Sequence, residues 1–402
     1  MSQPARSLHV IVTGRDRPGV TSRLFSELAS FPVVVLDIEQ IVLRGRLILG
    51  VLVDLAETDA ADELSLRDAV ARAARDLGLE IEMTVEPPSD DAPRPGPLHV
   101  TVLGHPLLPS AMAGVAGCLA RCGANIDRIE RLARYPVTCV ELEVSGVDPD
   151  VLRAELNAQA AIEHVDVAVQ RSGLYRRAKR LVVMDVDSTL VQGEVIEMLA
   201  AQAGCADQVA AITEAAMRGE LDFEQSLRER VALLAGLPAT ALSTVRASLV
   251  LTPGARTLVR TLKRLGYLVA IVSGGFTQIT DGLVDELGFD FAAANTLDVV
   301  DGVLTGRLIG PIVDRPGKAA ALRRFAASAG VPLNQTVAIG DGANDLDMLG
   351  LAGLGVAFNA KPLVRQAADT AVNVPYLDAI LYLLGISRDE IDAADAEEQA
   401  LG

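Results

Sequence analysis

At 402 residues the chain is too long for one ordinary core; at roughly 100 to 200 residues per domain, two to four domains are expected. Half of its residues are hydrophobic, enough to build cores, while a formal net charge of -17 argues against nucleic acid or an anionic membrane surface as a general partner, so any anionic substrate needs a local cationic or metal site. The four cysteines, Cys118, Cys122, Cys139 and Cys205, form no CxxC pair and read as buried thiols of a reducing compartment; without a basic-then-apolar leader or a membrane-length apolar run, the expectation is a soluble cytoplasmic protein.

Residues Ser7 to Gly14 alternate as a strand, and Pro18-Gly19 opens an amphipathic helix to about Ala29. Strands at Val33 to Leu43 and Leu47 to Leu55, joined at Arg44-Gly45-Arg46, precede a helix over Leu64 to Leu77 and a strand at Leu79 to Val85. This βαββαβ order is the ferredoxin-like unit. The segment Glu86 to Pro97 carries five prolines and reads as an extended linker. The pattern then restarts: His9 to Gly14 is echoed by His99 to Gly104, a displacement of 99 − 9 = 90, and Asp37 is echoed by Asp127. The second copy continues with a helix around Ala111 to Arg121, strands at Asn125 to Ala133 and Val137 to Val144, a helix opened by Asp148-Pro149, and a strand near Val165 to Gln170. Topology, repeat and the Gly14-Arg15-Asp16-Arg17-Pro18-Gly19 loop resemble ACT domains, small regulatory modules that bind amino acids. The second copy departs from that loop, with His105-Pro106-Leu107-Leu108-Pro109-Ser110 in its place.

From Arg180 onward buried strands alternate with helices, at Leu181 to Met184, Leu268 to Val272, Thr336 to Ile339, Gly355 to Phe358 and Ala371 to Val374, which predicts a doubly wound parallel sheet. Gly193 to Leu251 is too long for an ordinary crossover and is expected to form a helical cap; Asn295 to Pro311 reads as a hairpin flap turning at Asp301-Gly302. The polar, acidic residues Ser387 to Gly402 are expected to fray. The expected boundaries are 1-86 and 97-172 for the two modules and 180-386 for the α/β domain. Asp185 and Asp187 end the first sheet strand, where ligands of open α/β sheets bind. Two residues apart on an extended chain, they project to one side and repel unless a cation such as Mg²⁺ neutralises them; on these residues alone a solvated acidic turn is an equal explanation. Ser273-Gly274-Gly275, Lys318 in the first turn of a helix, and Gly340-Asp341-Gly342-Ala343-Asn344-Asp345 follow at the ends of later strands. From Arg171 to Gly402 there is no histidine, so nucleophile, acid and base must come from carboxylate, hydroxyl, lysine or the one cysteine.

Those four clusters, in order, match the motifs of the haloacid dehalogenase superfamily of phosphohydrolases over Leu181 to about Val374. Glu194 and the run Met217 to Arg230 resemble the cap of phosphoserine phosphatases, and tandem ACT-like modules resemble the regulated bacterial forms of that family. The resemblance implies a phosphatase making L-serine from phosphoserine, with Asp185 as nucleophile, Asp187 as acid and base, and Lys318 as charge stabiliser. It implies Mg²⁺ on Asp185, the backbone carbonyl of Asp187, and Asp341; phosphate contacts from Ser273, Gly274 and Asn344; and Asp345 orienting Lys318 or the metal shell. A zwitterionic substrate suits Glu194 for its ammonium and Arg230 for its carboxylate, with Met217 and Phe223 as an apolar wall or as plain helical core. L-serine is the expected effector, with Asp16 and Gly19 of the first loop, Asp37, Asn125 and Asp127 as candidate contacts, and a homodimer is expected by analogy. Two other readings stay open: a phosphatase of phosphothreonine, another small phosphoester or a phosphoprotein, and an amino-acid sensor with a vestigial phosphatase site.

Overall fold

The computed structural model describes residues 6–86, 97–173, 176, 178–217 and 220–401. The chain divides into two compact units, Met1–Pro93 and Arg94–Gly402. The proline-rich segment expected as a linker lies, over 87–96, outside the described residues.

The first unit runs β1 (Ser7–Arg15), α1 (Val20–Leu28), β2 (Val34–Leu43), β3 (Arg46–Asp54), α2 (Ala60–Asp76) and β4 (Glu80–Glu86). Its antiparallel sheet has the order β2-β3-β1-β4. Strand alternation decides the buried face: Leu8, Val10 and Val12 of β1 and Leu47, Leu49, Val51 and Val53 of β3 face Val20 and Leu24 of α1 and Leu66 and Val70 of α2. Asp59 caps α2, its side chain accepting from the amides of Ala61 and Asp62. The edge strand β2 is exposed along its whole length.

The second unit opens with the other βαββαβ module: β5 (Leu98–Gly104), α3 (Pro109–Arg121), β6 (Asn125–Ala133), β7 (Thr138–Ser145), α4 (Pro149–Glu163) and β8 (Asp166–Arg171). Then follow β9 (Leu181–Asp185), the helices α5 (Val195–Ala203), α6 (Ala206–Met217), α7 (Phe223–Ala232), α8 (Thr240–Ser248) and α9 (Ala255–Arg264), β10 (Leu268–Phe276), α10 (Thr277–Leu287), β11 (Phe291–Val300) and β12 (Val303–Ile309). The chain ends with α11 (Arg315–Ala329), β13 (Thr336–Gly340), α12 (Leu346–Leu351), β14 (Gly355–Phe358), α13 (Pro362–Ala367), β15 (Thr370–Val372), α14 (Ile380–Leu383) and α15 (Arg388–Leu401). Strand β9 is buried on both faces and pairs in parallel with β10 and β13, which puts the ends of three strands side by side. Helices α5 to α8 share a separate core that includes Leu199, Leu227, Val231, Leu234 and Leu242 and takes in Leu297 and Leu304 of the β11–β12 hairpin.

The sequence did not announce how the second module is attached. Its sheet continues that of the α/β domain, in the order β12-β11-β10-β9-β13-β14-β15-β8-β5-β7-β6, through an antiparallel junction at Thr370 and Ala168. The Asp166 carboxylate accepts from both the backbone and side-chain nitrogens of Asn373, each at 2.6 Å, and the Gln170 side chain donates to the Leu383 carbonyl at 2.9 Å. Leu103, Val137 and Cys139 of the module occupy the same hydrophobic core as Val182, Met184, Phe358 and Leu381.

The C-terminal residues correct the expectation of fraying. Ser387 and Glu390 cap α15 reciprocally: the Ser387 amide donates to Glu390 Oε2 at 2.7 Å and the Glu390 amide to Ser387 Oγ at 3.3 Å. Arg264 of α9 pairs with Asp395 at 3.1 Å and also with Glu398, and Ile391 is buried in the main core. No helix among the described residues is long and apolar enough to cross a membrane.

Candidate active site

The backbone after β9 leaves extended geometry within two residues. Asp187 keeps ψ 132, and Ser188 adopts φ 57, a left-handed conformation that costs a non-glycine residue on the order of 1 kcal/mol. This turn holds Asp187 with two donors: the Val195 amide, at the start of cap helix α5, reaches Oδ1 at 2.8 Å, and the Ser273 hydroxyl reaches Oδ2 at 3.0 Å. Thr189 donates to Asp341 Oδ1 at 3.0 Å and Ser188 to Glu194 Oε1 at 3.1 Å, so one short turn ties β9 to β13 and to the cap.

Lys318 sits in the first turn of α11, whose N-cap Asp314 accepts from the Gly317 amide at 2.8 Å. Its fully buried ammonium makes a directed hydrogen bond to Asp345 Oδ1 at 2.7 Å and lies 2.6 Å from Asp185 Oδ1 as an ion pair. Asp185 Oδ1 receives no directed hydrogen bond. Burial opposes the charge on Lys318, but Asp185 and Asp345 outweigh it and raise its pKa. The carboxylates of Asp185, Asp341 and Asp345 bring one oxygen each within 4.8 Å of one another. Burial and then the charge of Asp345 push Asp185 well above the carboxylate range, and the same causes push Asp341 up to about 6. Three acids around one ammonium, with an oxygen lacking a directed donor, are short of positive charge; hard oxygen donors of this kind fit a divalent cation. Asp187 does not belong to this carboxylate cluster.

A cavity of about 570 Å³ opens over the cluster. Asp185, Asp187, Gly274, Asp341 and Asn344 line it from the sheet side, and Glu194, Phe223 and Arg230 from the cap. Burial, followed by Asp187, raises Glu194 to about 7, and burial lowers the Arg230 pKa. A methyl group on Gly275 would lie 2.9 Å from Ser273 Oγ and 3.0 Å from Asp187 Oδ2, so that position favours the smallest residue, while one on Gly274 would lie 3.2 Å from Phe223 Cζ and require the ring to shift. Ser273 and Lys318 are buried and do not line the cavity. Met217 ends α6, and its side chain lies outside the described residues. The sequence reading missed Glu197 and Lys361, which also line the cavity, and buried Asn295 behind it. Lys361 follows β14 in Asn359-Ala360-Lys361-Pro362, so the rule that picks out polar residues after sheet strands would have found it.

The residues expected to regulate lie elsewhere. The Asp16 amide donates to the Gly45 carbonyl at 2.9 Å, and Gly19 precedes α1 with φ 93. Asp37 lies on β2 and accepts from the next amide, Ile38, at 2.8 Å. On β6 the Asn125 side chain donates to Asp127 Oδ1 at 2.6 Å.

Comparison with known proteins gives this arrangement a class. A family model of haloacid dehalogenase-like hydrolases matches residues 182–350, and two ACT-domain models match residues 7–84 and 98–170. The fold and site therefore define a haloacid dehalogenase-like hydrolase with two ACT domains. The chain is 62% identical to a phosphoserine phosphatase of Streptomyces coelicolor, over 98% of this chain and 96% of that one. It is 57% identical to phosphoserine phosphatase SerB2 of Mycobacterium tuberculosis, over 98% of this chain and 97% of that one. An unliganded crystal structure of a probable phosphoserine phosphatase from Vibrio cholerae superposes with a TM-score of 0.58 at 36% identity, over 74% of this chain and 88% of that one. The chain belongs to the phosphoserine phosphatase family.

Proposed function

We propose that the chain hydrolyses O-phospho-L-serine to L-serine and phosphate in two displacements on Asp185. The observation that carries this reading is a single cavity with Asp185, Asp187 and Asp341 at one wall and Glu194 and Arg230 at another, which suits a phosphate monoester whose leaving group is a zwitterion. A carboxylate oxygen of Asp185 bonds to phosphorus as the phosphorus–oxygen bond to serine breaks, and Asp187 gives its proton to the departing alkoxide. Burial raises the pKa of Asp187, which favours a protonated acid at the start. Asp187 then removes a proton from water as the water oxygen bonds to phosphorus, which frees phosphate and returns Asp185. Lys318 balances charge on Asp185 throughout, and Ser273 orients Asp187 through its hydroxyl. Gly274 and Asn344 contact the phosphoryl group, Glu194 the substrate ammonium and Arg230 its carboxylate; Phe223 supplies an apolar wall. The acids fit a divalent cation such as Mg²⁺, which Asp185, Asp341 and the Asp187 carbonyl would hold and which would supply positive charge to offset these carboxylates and the anionic substrate.

Phosphate release from a panel of small phosphoesters, before and after chelation and Mg²⁺ restoration, tests substrate and metal together. Asp185→Asn is expected to fold normally and lose at least about a thousandfold in kcat, since an amide is not a competent nucleophile. Near-parent turnover in that variant refutes the nucleophile.

The ACT modules support a second part of the reading: L-serine binds them and lowers activity, and the enzyme is a homodimer. The Asp16 to Gly19 loop offers amides at the start of α1 for a carboxylate, and Asp37, Asn125 and Asp127 offer oxygens for an ammonium. Regulation of this kind requires serine to bind two conformations unequally. Serine inhibition at varied phosphoserine is therefore expected to be partly non-competitive in the parent and purely competitive in Asn125→Ala/Asp127→Ala. Purely competitive inhibition in the parent makes serine a product inhibitor only.

A further inference from the structure

Strand β10 cannot keep its ladder with β11 to the end. Val272 pairs with Ala293 and Phe276 with Asn295, so 276 − 272 = 4 steps on one strand face 295 − 293 = 2 on the other, and the two additional residues force Ser273-Gly274-Gly275 out of register. An out-of-register stretch leaves ladder groups unpaired unless side chains replace the missing partners. Asn295 does so. Buried to 1% exposure, it donates from Nδ2 to the Gly274 carbonyl at 2.8 Å and accepts at Oδ1 from the Val313 amide at 2.8 Å. The peptide it grips is held on its other side too, because the Gly275 amide donates to Ser273 Oγ at 2.7 Å, and that hydroxyl donates to Asp187 Oδ2 at 3.0 Å. Val313 immediately precedes Asp314, the N-cap of the helix that carries Lys318. One amide side chain thus connects the glycine bulge, the orientation of Asp187 and the start of the Lys318 helix.

We propose that Asn295 is a positioning residue for phosphoryl transfer, acting through the Gly274–Gly275 peptide and Ser273 on Asp187, and through Val313 on the placement of Lys318. This inference rests on the two-displacement reading above. A donor aimed at the Gly274 carbonyl is the essential property, because without it the peptide is free to rotate and the Ser273 hydroxyl loses its fixed direction. Hydrogen-bond chains of this kind transmit misplacement, and displacements of about 1 Å cost up to roughly a hundredfold in rate.

The test compares Asn295→Ala and Asn295→Asp with the parent, full length, on phosphoserine and on an aryl phosphate, with melting temperature and near-ultraviolet circular dichroism recorded alongside. At temperatures where it remains folded, Asn295→Ala is expected to lose roughly tenfold to a hundredfold in kcat on both substrates, with KM changed by less than about threefold. Asn295→Asp keeps the acceptor for Val313 but offers Gly274 a donor only when protonated, so its deficit relative to the parent should shrink as pH falls, while that of Asn295→Ala stays flat. A folded Asn295→Ala with parent kcat, or an Asn295→Asp deficit that does not change with pH, overturns the proposal. If Asn295→Ala does not fold, the Asn295→Asp profile decides alone. Should the parent prefer another phosphoester, the comparison is made on that substrate, so loss of the phosphoserine assignment and loss of the positioning role remain separate results.

Discussion

Arg230 is the residue on which substrate choice is proposed to turn. It lines the cavity from α7, is largely buried, and is held at Nε by the Ser226 carbonyl at 3.2 Å. A buried guanidinium is costly unless something anionic meets it, and in this cavity a substrate carboxylate is the proposed partner. Arg230→Ala is expected to reduce kcat/KM for phosphoserine by roughly tenfold to a hundredfold more than for an aryl phosphate, the scale of one charged hydrogen-bonded contact. Equal losses on the two substrates would assign Arg230 to structure. The acidic cluster and its buried lysine were legible in the sequence because Asp185, Lys318 and Asp341 each follow a recognisable strand or open a recognisable helix. Asn295 was not, because in sequence it reads as the polar start of a flap; its importance comes from a break in register between two strands, which no periodicity encodes.

Among the elements, α15 shows what composition conceals. Its residues are mostly acidic or small, and its charged partners, Arg260 and Arg264, are distant in sequence, so a local reading finds a solvated tail. Exposed ion pairs of this type contribute about 0 to 1 kcal/mol each, so they direct the helix more than they hold it. The holding contact is Ile391, 1% exposed within the main core. Ile391→Ala is expected to cost about 2 to 5 kcal/mol, measurable as a lower denaturant midpoint with unchanged slope, whereas Arg264→Ala should leave the midpoint nearly unchanged. Similar small losses from both would mean that α15 is held by its surface. The helix did leave one local signal, Ser387-Arg388-Asp389-Glu390, the spacing of a capping box. The strands beginning at Leu181, Leu268, Thr336 and Gly355 were read correctly by contrast, because continuous runs such as Leu181 to Met184 have few alternatives to a strand buried on both faces, whereas β11, which pairs in parallel with β10, was read only as part of a flap.

For the whole molecule, the two ACT modules are not equivalent despite their repeat. A chain beginning at Pro97 keeps every strand of the joined sheet and is expected to remain folded and active. It also lacks β2, the edge strand whose Val34, Leu36, Ile41 and Leu43 are each at least 50% exposed, and is therefore expected to be monomeric by light scattering, whereas the full chain is expected to be dimeric. A chain beginning at Gly173 strips Leu103, Val137 and Cys139 from the common core and the partner strand from β15, and should aggregate. A soluble, fully active product from Gly173 would show that the joined sheet adds nothing to stability.

The loop that departs from the ACT pattern belongs to this same asymmetry. In the second module, His105 meets Tyr376 edge to face, with ring centroids 6.4 Å apart. Where the first copy keeps its Pro-Gly opening, the second has taken on masonry: a segment that in a sensor stays vacant for a visitor is spent on bonding to the wall. Duplication thus furnished two copies with opposite freedoms. The loop of one remains at liberty to change over evolutionary time; the loop of the other can change only as fast as the core it is mortared to.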